Sequence, residues 1–247
     1  MTFDEYKKKI IRDYAFKQSR LDAVFKGYKL QSPFINASNV MVDEARVMDG
    51  SAAGAYITTD FDYLLDTQDE YIAKNKPQFL SATPEMLPEI QSSDYNGFTE
   101  IDMGAGGYSP YMLKKTLDDA RWVFVKKLGI KLPPYVSGEQ FRLASKIANE
   151  YDVDYINCGQ GYGLKLAVEN VKKFRENLDP DIAIIGSGGI CDTASAIAHI
   201  KAGADLMAVG SHLFENNQKE RAFEALNRGL ERRLCYDKMD TINELRK

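Results

Sequence analysis

Cysteine is scarce and scattered: Cys158, Cys191 and Cys235 are the only three in 247 residues. An odd number at wide separation excludes a disulfide framework, and no pair has the spacing of a zinc site, so no metal is expected. No apolar run reaches the ~18 residues that a membrane span requires. The opening Met1-Thr2-Phe3-Asp4-Glu5-Tyr6-Lys7 lacks the basic-then-apolar order of a secretory signal. A soluble cytoplasmic protein without membrane contact is the expectation. Basic charge is not in excess either: 32 Lys and Arg face 36 Asp and Glu, a net charge of −4. That balance argues against a general nucleic-acid partner, which needs a basic surface to neutralise phosphate. The runs Lys7-Lys8-Lys9 and Lys114-Lys115 are short and read as solvated helix faces. Histidine occurs twice. His199 lies mid-helix and reads as an ordinary helix residue; His212 is placed where it could touch a ligand, but without a positioned partner it reads as structural.

What is present is alternation. Short apolar runs at 34–37, 55–58, 78–81, 97–103, 129–132, 154–158, 182–186 and 206–210 read as strands. Between them, residues 43–50, 61–75, 84–92, 109–127, 138–151, 164–177, 191–202 and 217–238 read as helices. Leu143, Ile147 and Ala148 show the apolar spacing of three and four. Asp43 can cap the first of these helices, Ser109 precedes Pro110 at a helix start, and Gly203 can end the helix before it. Eight β–α units predict a parallel sheet closed into a (β/α)₈ TIM barrel, since closure removes both sheet edges. An open doubly wound sheet is the rival arrangement. Residues 1–33 are expected to form an N-terminal helix and a short hairpin near Lys26-Gly27 that covers the barrel, and residues 34–247 the barrel itself, as one domain.

The strongest local signal is Ile184-Ile185-Gly186-Ser187-Gly188-Gly189-Ile190, which runs from a strand into a helix. Glycines there let backbone N–H groups approach an anion closely. Val209-Gly210-Ser211 supplies a second small-residue turn at the next strand end. The last two strand–helix loops are where such barrels commonly bind phosphate, so a phosphate-bearing small molecule is the expected ligand.

These residues, with others, carry a family resemblance. Asn36-Ala37-Ser38, Ala53-Gly54-Ala55-Tyr56-Ile57-Thr58, Gly129-Ile130-Lys131-Leu132-Pro133-Pro134-Tyr135, Tyr155-Ile156-Asn157 and the glycine turn resemble the class 1A dihydroorotate dehydrogenases from about Pro33 onward. That family comprises FMN-dependent (β/α)₈ barrels, usually dimeric, that oxidise dihydroorotate to orotate in pyrimidine metabolism. The resemblance implies FMN as cofactor and a possible homodimer. It implies Ala37 and Ser38 against the flavin ring, Lys131 in contact with the flavin, and Asn157 as a further cofactor-binding residue. It also implies Gly188, Gly189, Gly210 and Ser211 as the phosphate cradle.

The resemblance fails where the family carries its reaction. Its Asn-Leu-Ser-Cys-Pro-Asn run is Asp102-Met103-Gly104-Ala105-Gly106-Gly107 here, and Ala105, in place of the cysteine base, has no acid–base group. Gly107, Asp102 and Gln160 replace asparagines that hold substrate, Thr59 replaces a lysine, and the loops after Asp60 and around Tyr162-Gly163-Leu164 are shortened. The leading expectation is therefore a flavin oxidoreductase with a rebuilt substrate pocket. One alternative is a catalytically inactive relative that binds FMN or another phosphate ligand. Another is a non-redox lyase or isomerase that uses Asp102 and Lys131 on a phosphorylated substrate. Strand alternation puts Glu100 and Asp102 on one face, where a structural ion pair with Lys131 is favoured over a catalytic pair. Cys158 reads as a packed thiol. Tyr108, Tyr111 and Tyr162 can stack on a planar ligand or close loops, and Trp122 reads as core.

Overall fold

A computed structural model describes residues 18–37, 53–73, 77–103, 110–122, 127–133, 137–159, 163–215 and 219–246. The expected helix at 43–50, the N-terminal helix, Ser38, Ala105, Gly107, Tyr108, Gln160 and Tyr162 lie outside them, as does the Trp122 side chain.

The chain opens with an antiparallel hairpin, β1 (Ala23–Phe25) and β2 (Tyr28–Leu30). Its two turn residues, Lys26 at φ 48° and Gly27 at φ 88°, both take positive φ. Turns of that hand match the right-handed twist of the flanking strands. Eight parallel strands follow: β3 (Phe34–Asn36), β4 (Ile57–Thr58), β5 (Phe79–Ala82), β6 (Phe98–Asp102), β7 (Leu128–Lys131), β8 (Tyr155–Cys158), β9 (Ala183–Ser187) and β10 (Leu206–Val209). Their lateral order is β3-β10-β9-β8-β7-β6-β5-β4, which leaves β3 and β4 to meet at the seam. The Asn36 side chain bridges them. Its Nδ2 donates to the Ile57 carbonyl at 2.7 Å and its Oδ1 accepts from the Ile57 N–H at 2.8 Å. Just before β4, the Gly54 N–H donates to the Phe34 carbonyl at 2.8 Å. The sheet thus closes into a TIM barrel.

Helices wrap the outside: α1 (Phe61–Ala73), α2 (Leu87–Ser92), α3 (Pro110–Trp122), α4 (Gly138–Glu150), α5 (Leu164–Asn177), α6 (Thr193–Ala202), the short α7 (Ser211–Glu215) and α8 (Lys219–Tyr236). Their ends follow local chemistry. Ser137 and Gln140 form a reciprocal capping box at α4, and Asp192 and Ser195 form another at α6. Gly203, at φ 108°, ends α6 in the left-handed conformation. The single helix expected over 84–92 is divided, a 3-10 turn over Pro84–Met86 preceding α2. Pro88 has no N–H to give the Pro84 carbonyl, and the Leu87 N–H takes that acceptor instead. None of the described helices is long and apolar enough to cross a membrane.

The hairpin fills the end of the barrel where the strands begin. Phe25 packs against Phe79, Phe98 and Tyr155 with ring centroids 5.7, 5.5 and 5.5 Å away. Gly129 makes the room: a Cβ there would lie 2.1 Å from the Tyr155 ring. This aromatic layer is buried. Two residues further along β6, β7 and β8, the interior turns polar, at Glu100, Lys131 and Asn157.

Candidate functional site

Alternation along β6 puts Glu100 and Asp102 on the face of Phe98, pointing into the barrel above the aromatic layer. The register then aligns Asp102 with Lys131 on β7, and Lys131 with Asn157 on β8. Lys131 Nζ donates to Asp102 Oδ2 at 2.7 Å, with 3% and 12% of the two side chains exposed. Asn157 Nδ2 donates to Glu100 Oε2 at 3.0 Å across the space over Gly129. Burial raises the Tyr155 hydroxyl well above its ordinary range, with the neighbouring Glu100 adding to the effect. Cys158 is buried too, and desolvation pushes its thiol up to about 12. It stays protonated and serves packing rather than nucleophilic attack. The expected association of Asp102 with Lys131 is therefore present, as a direct ion pair.

The glycine turn lies at the adjoining end of β9. Ser187 Oγ donates to the Cys158 carbonyl at 3.1 Å, which ties the tops of β8 and β9 together. Gly188 and Gly189 take φ 98° and 69°, a region that side chains other than glycine rarely adopt. Space is also lacking: a Cβ on Gly189 would lie 2.6 Å from the backbone nitrogen of Leu164, at the start of α5. Among the described residues, no hydrogen bond occupies the N–H groups of Gly188, Gly189 or Gly210. Gly210 and Ser211 follow at the end of β10, where α7 begins. Ala37, at the end of β3, is buried beside β10, its N–H donating to the Val209 carbonyl. Ala37, Asn157, Lys131, Gly188, Gly189, Gly210 and Ser211 thus all stand at the same end of the barrel, that of the strand C-termini.

One participant escaped the sequence reading. His199, expected as an ordinary helix residue, is fully buried, and its Nε2 lies 3.0 Å from the Gly188 carbonyl. Burial lowers its basicity, and the Gly188 bond opposes that only in part. Gly186 has no side chain where the ring passes: a Cβ there would meet His199 Nδ1 at 2.7 Å. A clue existed in sequence, since Gly186 and His199 are 13 residues apart on a strand and the helix that follows it. Nothing in the helical pattern says which residue of that helix reaches back.

Comparisons with known proteins point to one family. A family model described as dihydroorotate dehydrogenase matches residues 161–234, which include the glycine turn and His199. Dihydroorotate dehydrogenase A (fumarate) of Lactococcus lactis subsp. cremoris is 26% identical over 277 residues, covering 78% of this chain and 88% of that protein. Dihydroorotate dehydrogenase (fumarate) of Lachancea kluyveri is 27% identical over 302 residues, covering 90% and 96%. Among solved structures, that of DHODH from Eimeria tenella in complex with ferulenol superposes with a TM-score of 0.75 at 12% identity, over 98% of this chain and 93% of that one. The last match speaks for the fold alone. The family-model match and the sequence relatives support a divergent member of the dihydroorotate dehydrogenase family.

Proposed function

We propose that this barrel binds FMN and acts as a flavin oxidoreductase of dihydroorotate dehydrogenase type, with a rebuilt pocket for a small polar substrate. The observation that carries the reading is the glycine turn. Among the described residues its Gly188 and Gly189 N–H groups take no hydrogen bond, its positive φ angles are ones that residues other than glycine rarely adopt, and the buried Lys131 side chain stands at the same end of the barrel. Those features fit a flavin phosphate and ring. Gly188, Gly189, Gly210 and Ser211 would hold the phosphate through backbone N–H groups. Ala37, Ser38 and Asn157 would line the ring, and Lys131 would present its ammonium to it. When bound, FMN supplies two-electron redox chemistry that no side chain provides.

The chain's own residues set the rest. Asp102 aims Lys131, and Glu100 aims the Asn157 amide. Ala105 has no group that can take or give a proton, so any proton moved in the reaction must come from another group. Asp102, partly exposed at the end of β6, is the candidate. A cover formed by residues 1–33, a barrel over 34–247, a homodimer and a cytoplasmic location belong to the same proposal. Ala105 itself favours a second reading, a catalytically inactive relative that keeps FMN or another phosphate ligand.

The visible spectrum of the purified protein, followed by denaturation and mass identification of whatever is released, tests the reading. A yellow protein that releases stoichiometric FMN is expected, and Lys131→Ala and Gly189→Asp variants should bind FMN less well. Steady turnover with a donor and an acceptor would then exclude the inactive reading. A colourless protein that also refuses added FMN sinks the flavin. It turns attention to phosphorylated substrates and to lyase or isomerase chemistry at Asp102 and Lys131.

A further inference from the structure

We infer that His199 is a positioning residue for anion binding: it fixes the Gly188–Gly189 peptide so that the Gly189 N–H is presented to the ligand. The inference rests on the phosphate site proposed above. Gly188 offers only a carbonyl to the imidazole, so Nε2 must carry the proton and donate it, which selects the Nε2–H tautomer. In a trans peptide the C=O and the following N–H point in opposite directions. A carbonyl held against helix α6 therefore turns the Gly189 N–H away from that helix. Glycines at φ 98° and 69° can adopt other conformations at little cost, so without this bond the turn would spread over several orientations of that N–H.

The packing around the ring supports a dedicated arrangement. His199 is fully buried, and its Nδ1 has no hydrogen-bond partner among the described residues. An apolar side chain would fill this space without leaving a buried nitrogen unsatisfied. Gly186, on the strand that feeds the turn, leaves the space that the ring occupies. What the imidazole gains in return is the bond to Gly188. Helix α6 is itself anchored by the Asp192–Ser195 capping box and the Gly203 cap, so the donor is carried on a fixed element.

The test compares FMN with riboflavin, which has no phosphate. Both are titrated by flavin fluorescence into the parent protein and into His199→Leu and His199→Gln variants. Leucine should weaken FMN about tenfold and leave riboflavin almost unchanged, the loss of one well-placed hydrogen bond to the phosphate. Glutamine, whose amide can donate to the Gly188 carbonyl, should restore most of the preference for FMN. Nitrogen chemical shifts of the parent protein should report the Nε2–H tautomer. An FMN-to-riboflavin ratio that stays at the parent value in His199→Leu overturns the inference, whether both affinities hold or both fall together. An Nδ1–H tautomer overturns it as well, even if the leucine variant does not fold. A parent protein that binds neither FMN nor inorganic phosphate defeats the proposed function and this inference together.

Discussion

Lys131 and Asp102 hold opposite charges 2.7 Å apart in a space that water hardly enters. Two ions brought out of water need each other more than they stabilise the fold, and removing one leaves the other buried and uncompensated. Asp102→Asn should therefore cost about 3 kcal/mol in urea denaturation. The double variant Asp102→Asn/Lys131→Met should cost less than the sum of the two single changes, a coupling that a double-mutant cycle measures. Simple additivity would mean that the pair is not the unit the geometry describes. His199 gives a second expectation at this scale, in pH. Its imidazole is held below the ordinary value by burial, so the unfolded chain takes up this proton first as pH falls. The associated stability is complete above about pH 6.5 and is lost as pH falls toward and through the folded value. Between about pH 8 and pH 5.5, the melting temperature of the parent should drop more than that of His199→Gln. Equal drops would show that the buried imidazole is not the group responsible.

Helix α6 shows how an element converts local sequence chemistry into site geometry. Asp192 accepts from the Ser195 N–H at 2.8 Å while the Ser195 hydroxyl closes the box, and the backbone bond from Ser195 is the largest cause of the lowered Asp192 pKa. Asp192→Ala should cost about 1 kcal/mol of stability. Because the same helix carries His199, it should also weaken FMN more than riboflavin. A stability loss with an unchanged FMN-to-riboflavin ratio would separate the cap from the site. Much of this level was legible in sequence. The eight strands fall where apolar runs sit between turn residues, and Gly203 marks the end of α6 as expected. Alternation along β6 put Glu100 and Asp102 on one face, whereas the alignment of Asp102 with Lys131 depends on the register between β6 and β7. What could not be read depends on contacts between elements. The divided helix at Pro84–Met86 and Leu87–Ser92 turned on one missing N–H at Pro88. His199 depended on Gly186 vacating a space on another element, and Asn36 closed the seam through a side chain where strand pairing would be expected.

At the scale of the whole molecule, the two ends of the barrel have separate tasks. The start of the strands is a plug of rings: Phe79 stacks on Phe98 at 4.9 Å, Tyr155 meets both edge-on, and Phe25 of the hairpin completes the layer. The other end carries the ion pair, the glycine turn and its histidine. Barrels with this division change their chemistry at the strand C-termini and keep their stability at the opposite end. Such a separation makes a rebuilt substrate face compatible with an undisturbed fold, and it can be tested by injuring the plug alone. Phe25→Ala removes a ring with 1% of its surface exposed and should cost about 3–5 kcal/mol, the usual loss for a buried aromatic that leaves a cavity. At a temperature where the variant is still folded, its FMN affinity and its FMN-to-riboflavin ratio should match the parent's. Saturating FMN should then raise the melting temperature of parent and variant alike, since a ligand that binds only the folded state stabilises it by about 2.7 kcal/mol at a hundredfold excess over Kd. A Phe25→Ala protein that folds yet loses FMN selectively would show that the hairpin plug reaches the glycine turn through the barrel, and that the two ends are one cooperative site.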